Sequence, residues 1–265
     1  MLTHRILTSL VLFALLYVVF FVVSSYVFTQ LTVVFFFIAL YELLRMYKIS
    51  RLNLIGTAGV FFLLCYYTIF KFQYPVSQLI QILAVIVWCF IVPLIIVIRP
   101  AHIVQPLVII IALLIFLLAC YSIVLLRNIL GVWQLISIMA IAWIADSGAY
   151  FVGRKFGRHK LAPQISPAKS IEGAVAGIVF VLIYLTLLKY FNLVDYLSNY
   201  LAVVKFGVVL VIVSIIGDLF ESWLKRVAGI KDSGKILPGH GGVFDRVDSL
   251  IAVVSLAYAM IRGTI

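Results

Sequence analysis

Val104–Leu126 reads VQPLVIIIALLIFLLACYSIVLL, twenty-three residues without a charged side chain. As an α-helix rising 1.5 Å per residue it is about 35 Å long, enough to cross a hydrocarbon core of about 30 Å. In hydrocarbon every backbone N–H and C=O needs an internal partner, so a run of this kind is read as a spanning helix. Strands of a membrane barrel would be shorter and would alternate apolar with polar residues.

The same pattern recurs outward in both directions. Apolar runs cover approximately 6–27, 29–44, 54–70, 78–98, 104–126, 131–151, 173–191, 201–221 and 247–261, which predicts about nine transmembrane helices in an all-α polytopic membrane protein. Of the 265 residues, 66% are hydrophobic and 11% charged, more apolar surface than a soluble domain of this size can hide. The first run follows His4 and Arg5, is too long for a secretory signal core and lacks a small-x-small cleavage pattern, so it reads as a retained span. Cys65, Cys89 and Cys120 lie inside apolar runs without a C-x-x-C and read as thiols buried in lipid-facing or packed helices.

Charge predicts the orientation. With the N-terminus inside, threading places Arg5, Arg45, Lys48, Arg51, Arg99, Arg154, Lys155, Arg158, Lys160, Lys169, Lys225, Arg226, Lys231, Lys235 and Arg246 on the cytoplasmic side, fifteen of the 20 basic residues. Lys71, Arg127, Lys189, Lys205 and Arg262 fall at the other end. This asymmetry follows the positive-inside rule. The net charge of +11 is therefore partly topogenic, and basic residues divided among short loops argue against nucleic acid as a partner.

Acids are rarer: Glu42, Asp146, Glu172, Asp195, Asp218, Glu221, Asp232, Asp245 and Asp248 are all nine, and only Asp195 is expected outside. Positive-inside does not require acids to gather at one face, and carboxylates at membrane depth are costly and usually functional.

The densest polar segment is Gly217–Asp248, GDLFESWLKRVAGIKDSGKILPGHGGVFDRVD. Spacings of three, four and seven put Asp218, Glu221 and Lys225 on one face at the end of a span, and Asp245 and Asp248 open the next. Asp218, Asp245 and Asp248 are the candidate ligands of Mg²⁺ or Mn²⁺, with room for a second cation; hard cations take such oxygens and keep positions for phosphate. Lys225, Arg226, Lys231, Lys235 and Arg246 are placed to hold a metal-bound polyphosphate, Lys225 with a catalytic role. Interfacial ion pairs are the bland alternative, but they leave the burial of so many acids unexplained. Gly241 and Gly242 let backbone N–H groups approach an anion. His240 is open between a phosphate donor, a proton shuttle and a brace for the loop.

A second polar region holds Asp146 and Arg154, then Lys169, and Ser170–Gly173 reads as a helix start with Glu172 near its positive end. Lys169 and Arg154 bind either a substrate phosphate or lipid headgroups. The spacing of Gly173 and Gly177 suits close helix packing.

Ser222-x-Leu224-Lys225-Arg226, four residues, then Lys231-Asp232-x-Gly234-x-x-Leu237-Pro238-x-His240-Gly241-Gly242-x-x-Asp245-Arg246-x-Asp248 resembles the signature of the phosphatidate cytidylyltransferases, or CDP-diacylglycerol synthases, at every fixed position. The stretches 146–157 and 166–173 also resemble that family, with one departure: Ala168 stands where members commonly carry lysine. The resemblance covers roughly the C-terminal half, and the N-terminal spans match in hydropathy alone. It divides a single membrane domain, 1–265, into N-terminal spans over 1–130 and a catalytic half over 131–265 with the signature at 222–248.

The resemblance implies transfer of the cytidylyl group of CTP to phosphatidic acid in phospholipid biosynthesis, giving CDP-diacylglycerol and pyrophosphate, by a multi-pass protein of the bacterial inner membrane whose active site faces the cytoplasm among membrane lipids. It implies Ser222 among the substrate-binding residues, and a homodimer is compatible with it. A CTP-dependent polyprenol or phytol kinase is the enzymatic alternative. A CDP-alcohol phosphotransferase would carry a D-G-x-x-A-R framework that this chain lacks. An ion-coupled transporter would place its acids near the midplane, in repeated halves.

Overall fold

The computed structural model describes residues 14–234 and 241–263. Eight helices follow a short leading segment: α1 (Ser25–Met46), α2 (Arg51–Cys65, extended by a π-helical turn Tyr66–Lys71), α3 (Gln73–Ile86, continued through Val87–Ile91 and Val92–Ile98), α4 (Gln105–Leu130), α5 (Val132–Phe156), α6 (Ile171–Tyr190), α7 (Tyr200–Val227) and α8 (Asp248–Arg262). Among the described residues, seven helices, α1 to α7, are long and apolar enough to cross a membrane. The chain is thus an all-α membrane protein, relieved by one small hairpin of β1 (Lys160–Ala162) and β2 (Ser166–Ser170).

The boundaries follow polar caps that hydropathy does not register. The expected break between the first two spans, at 27–29, falls instead at Val23 and Ser24, where the backbone is extended and the Ser24 hydroxyl accepts the Val27 N–H. Ser50, Ser170 and Asn199 cap α2, α6 and α7 in the same way.

The run predicted over 247–261 forms α8, which has a different situation from the others. It is 15 residues long, and twelve of them are buried. It packs against α7, α4, α3 and α5, so it is a central helix rather than a lipid-facing one. Gly173 and Gly177 do serve packing: a methyl group at either would lie 2.7 Å from the Ala149 carbonyl oxygen or 3.0 Å from that of Ala145 on α5.

Contacts sort the helix ends into two groups. At one end Tyr47 donates to the Leu224 carbonyl, Gln105 to the Tyr47 carbonyl, Arg99 to Gln164, and Lys169 meets Asp218. At the other end Arg127 donates to the Phe20 and Val23 carbonyls and Gln134 to Asp195. The first end holds the polar site.

Candidate active site

The site forms where the end of α7 meets the start of α8. Gly217 makes the meeting possible: a Cβ there would lie 2.7 Å from the Asp248 carbonyl oxygen and 3.0 Å from Ala252 Cβ. Helical periodicity then turns Asp218, Glu221 and Lys225 toward the start of α8.

Oxygens of Asp218, Glu221 and Asp248 lie within 4.8 Å of one another. Lys169, carried on β2, reaches Asp218 Oδ2 at 2.5 Å, and the Ser222 hydroxyl donates to Asp218 Oδ1 at 3.3 Å. Ser249 ties in a fourth carboxylate. Its backbone N–H donates to Asp248 Oδ1 at 2.8 Å and its hydroxyl to Asp146 Oδ2 at 3.0 Å. Asp146, Lys169, Asp218, Ser222 and Asp248 are therefore brought together as one group.

Asp245 lies apart from that group. It sits in a 3₁₀ turn (Phe244–Arg246) between the two helices. Its Oδ1 accepts from Lys225 Nζ at 2.8 Å, and its Oδ2 from the N–H groups of Ser233 at 3.0 Å and Gly242 at 2.9 Å. Burial works to raise this carboxyl, but hydrogen bonding that involves Glu221, Lys225 and the Gly242 N–H holds it well below the usual carboxylate range. Asp245 is thus an ionised clasp on the 231–246 loop, and Glu221 takes the third place beside Asp218 and Asp248. Lys225 joins the two groups, 2.7 Å from Glu221 Oε1, with both side chains largely buried.

The glycines divide as well. Gly241 has φ +83°, a left-handed backbone that favours glycine, whereas the Gly242 N–H is already engaged by Asp245 rather than turned to an anion. Arg226, Lys231 and Arg246 are exposed around the rim. Arg154 is exposed on α5 and donates to Tyr150 one turn back, so its described contact is not with the carboxylates. His240 lies outside the described residues, as does Lys235.

Two further residues matter that no motif had marked. Ser249 had no signal, being one serine in an apolar helix. Glu42 had one: it is the sole acid in the first 145 residues. It is 3% exposed at the end of α1, and its Oε2 accepts from the Phe244 N–H at 2.9 Å and the Ser233 hydroxyl at 3.4 Å.

The model of the cytidylyltransferase family matches residues 3–263. A phosphatidate cytidylyltransferase of Bacillus subtilis is 34% identical over 267 residues, 97% of each chain. That of Haemophilus influenzae is 44% identical over 126 residues, 47% of this chain and 44% of the relative. That of Pseudomonas aeruginosa is 43% identical over 154 residues, 56% of this chain and 55% of the relative. The resemblance thus extends beyond the C-terminal half to the N-terminal spans, whose freely exchangeable apolar residues conceal it from a motif reading. With a match across nearly its whole length, this chain belongs to the cytidylyltransferase family.

Proposed function

We propose that this protein transfers the cytidylyl group of CTP to phosphatidic acid, giving CDP-diacylglycerol and pyrophosphate. One observation carries the reading beyond family membership: the carboxylates Asp218, Glu221 and Asp248 converge between two partly buried cations, Lys169 and Lys225, at one end of a membrane bundle. Both substrates are polyanions, one soluble and one anchored in a leaflet, so the site has to gather phosphates at the membrane surface.

The donor set fits a divalent cation. Asp218 meets Lys169 and Glu221 meets Lys225, while Asp248 has no ion pair among the described residues. Hard oxygens this crowded suit Mg²⁺ or Mn²⁺, with Asp218 and Asp248 as ligands and Glu221 and Asp146 beside them. When bound, such an ion supplies charge neutralisation and Lewis acidity at the phosphates.

The chain's own residues hold and orient. Lys169, Lys225 and the exposed Arg226, Lys231 and Arg246 neutralise non-bridging oxygens, and the 231–246 loop carries the nucleotide phosphates. A phosphatidate oxygen attacks the α-phosphorus of CTP, and the bond to the β-phosphate breaks to release pyrophosphate. The attacking monoester is already ionised, so no side-chain nucleophile or strong base is needed.

We further place the N-terminus and this end of the bundle in the cytoplasm, in a protein of about nine spans. The support is the charge asymmetry: fifteen of the 20 basic residues thread to the end that holds the carboxylates. The reaction is tested with purified protein, phosphatidic acid and CTP labelled separately in its α- and γ-phosphates. The expected products are α-labelled CDP-diacylglycerol and γ-labelled pyrophosphate. Transfer of the γ-phosphate to a lipid alcohol would establish a kinase instead.

A further inference from the structure

We infer that Glu42, far from the signature in sequence, is a positioning residue that clamps the two arms of the 231–246 loop and accounts for the glycine at 234. The inference rests on the reading of that loop as the nucleotide-phosphate side of the site.

The loop lies within the connection from α7 to α8, whose described residues, 228–234 and 241–247, form its two arms. Asp245 clasps them from the α8 side, through Ser233 and Gly242. Glu42 clasps them from α1, through the Ser233 hydroxyl and the Phe244 N–H. The arms are therefore gripped between two carboxylates, one from each half of the chain. Phe244 is buried at 1% exposure and packs on Phe116 of α4 with ring centroids 5.4 Å apart, and Phe116 packs on Phe36 of α1 at 6.3 Å. The helix that carries Glu42 thus also supports the turn that Glu42 holds.

The glycines are complementary to this carboxylate. A Cβ at Gly234 would overlap the Glu42 carboxylate, lying 2.9 Å from its Cδ, and one at Gly242 would overlap the Ser233 hydroxyl and lie 2.7 Å from Glu42 Oε2 and 2.8 Å from the Gly234 nitrogen. Real Cβ atoms essentially never come so close, so Gly234 is closed to a methyl by Glu42 itself, whereas Gly242 is closed by the other arm of the loop as well.

The chemistry of the clamp is acceptance. Glu42 Oε2 takes both hydrogen bonds, whereas Oε1 is buried without a hydrogen-bond partner. No described cation pairs with Glu42, so its negative charge is not what grips the loop. A glutamine keeps an oxygen for the Phe244 N–H and the Ser233 hydroxyl, and an alanine leaves that N–H buried and unpaired.

The test measures KM for CTP and for phosphatidic acid, kcat, and amide exchange over 228–234 and 241–247, in the full-length protein. Glu42→Ala is expected to raise KM for CTP about tenfold or more, the scale of a buried donor left without its hydrogen bond. KM for phosphatidic acid should stay within about twofold, and exchange should quicken in the loop arms but not in α7 or α8. Glu42→Gln should restore KM for CTP to within about threefold of wild type. Gly234→Ala should impair CTP use in the wild-type background but add little to Glu42→Ala, because the truncation opens the space the methyl needs. Should Glu42→Ala fail to fold, the comparison of Glu42→Gln with Gly234→Ala still decides. Additive effects, a Glu42→Gln as impaired as Glu42→Ala, or equal changes in both KM values would overturn the inference. A wild-type protein that makes no CDP-diacylglycerol would instead overturn the function on which it rests.

Discussion

Asp218, Asp245 and Asp248 look alike in sequence and differ in what they touch. Asp218 and Asp248 share the carboxylate group with Glu221, whereas both oxygens of Asp245 are taken by Lys225 and two backbone N–H groups. Asp218→Asn and Asp248→Asn are therefore expected to lower turnover by orders of magnitude and to raise the Mg²⁺ concentration needed for half-maximal rate. Asp245→Asn should raise KM for CTP while leaving that Mg²⁺ requirement near wild type. A Mg²⁺ titration of the three variants separates these outcomes, and chelation should abolish wild-type activity until Mg²⁺ or Mn²⁺ is returned. Asp245 also has a defined pH signature. Its folded-state carboxyl lies below the ordinary value of about 3.9. Its stabilising contribution is present above that value and is lost as pH falls through the lower folded one. Between about pH 5 and 8 it stays ionised, so Asp245→Asn should not move the acid limb of the pH–rate profile.

At the scale of elements, the decisive feature is the crossing of α7 and α8. A methyl at Gly217 would press on the Asp248 carbonyl and Ala252, and backbone there cannot yield cheaply. Gly217→Ala is expected to cost about 1–3 kcal/mol and to depress turnover further by displacing Asp248 from Asp218. Gly56→Ala on α2 is the control, since nothing lies within 4 Å of the added methyl; it should be neutral or slightly stabilising, as alanine suits a helix better than glycine. Thermal inactivation midpoints in detergent, measured beside turnover, check both. The hairpin of β1 and β2 has its own tie, since Glu172 at the start of α6 accepts the N–H groups of Arg158 and His159 just before β1, while Lys169 of β2 faces Asp218.

Across the whole molecule, the two groups of helix ends define which loops share a side. Cysteines substituted for Lys160 and Lys231, in a background with Cys89 replaced by serine, should label only from the cytoplasm. A cysteine at Ser198, in the segment that holds Asp195, should label only from outside. Labelling of Lys160→Cys or Lys231→Cys from outside sealed cells would invert the orientation. Cys65 and Cys120 are buried and need no replacement.

The sequence by itself determined the class and the chemistry on offer. Long apolar runs can only be spanning helices, because lipid supplies no partner for the backbone. The acids of Gly217–Asp248 stand out because burying a charge is costly. Helical spacing was sufficient to align Asp218, Glu221 and Lys225, since that periodicity is local. Only the tertiary structure decided which carboxylates meet. Asp245 and Asp248 are three residues apart, yet a 3₁₀ turn sends one to the loop and the other to the helix start. Asp146 joins through Ser249, and Glu42 reaches the loop across about two hundred residues, with |i−j| of 191 and 202. Such contacts depend on how helices cross and how closely glycine lets them approach, which is a property of packed surfaces and not of spacing along the chain.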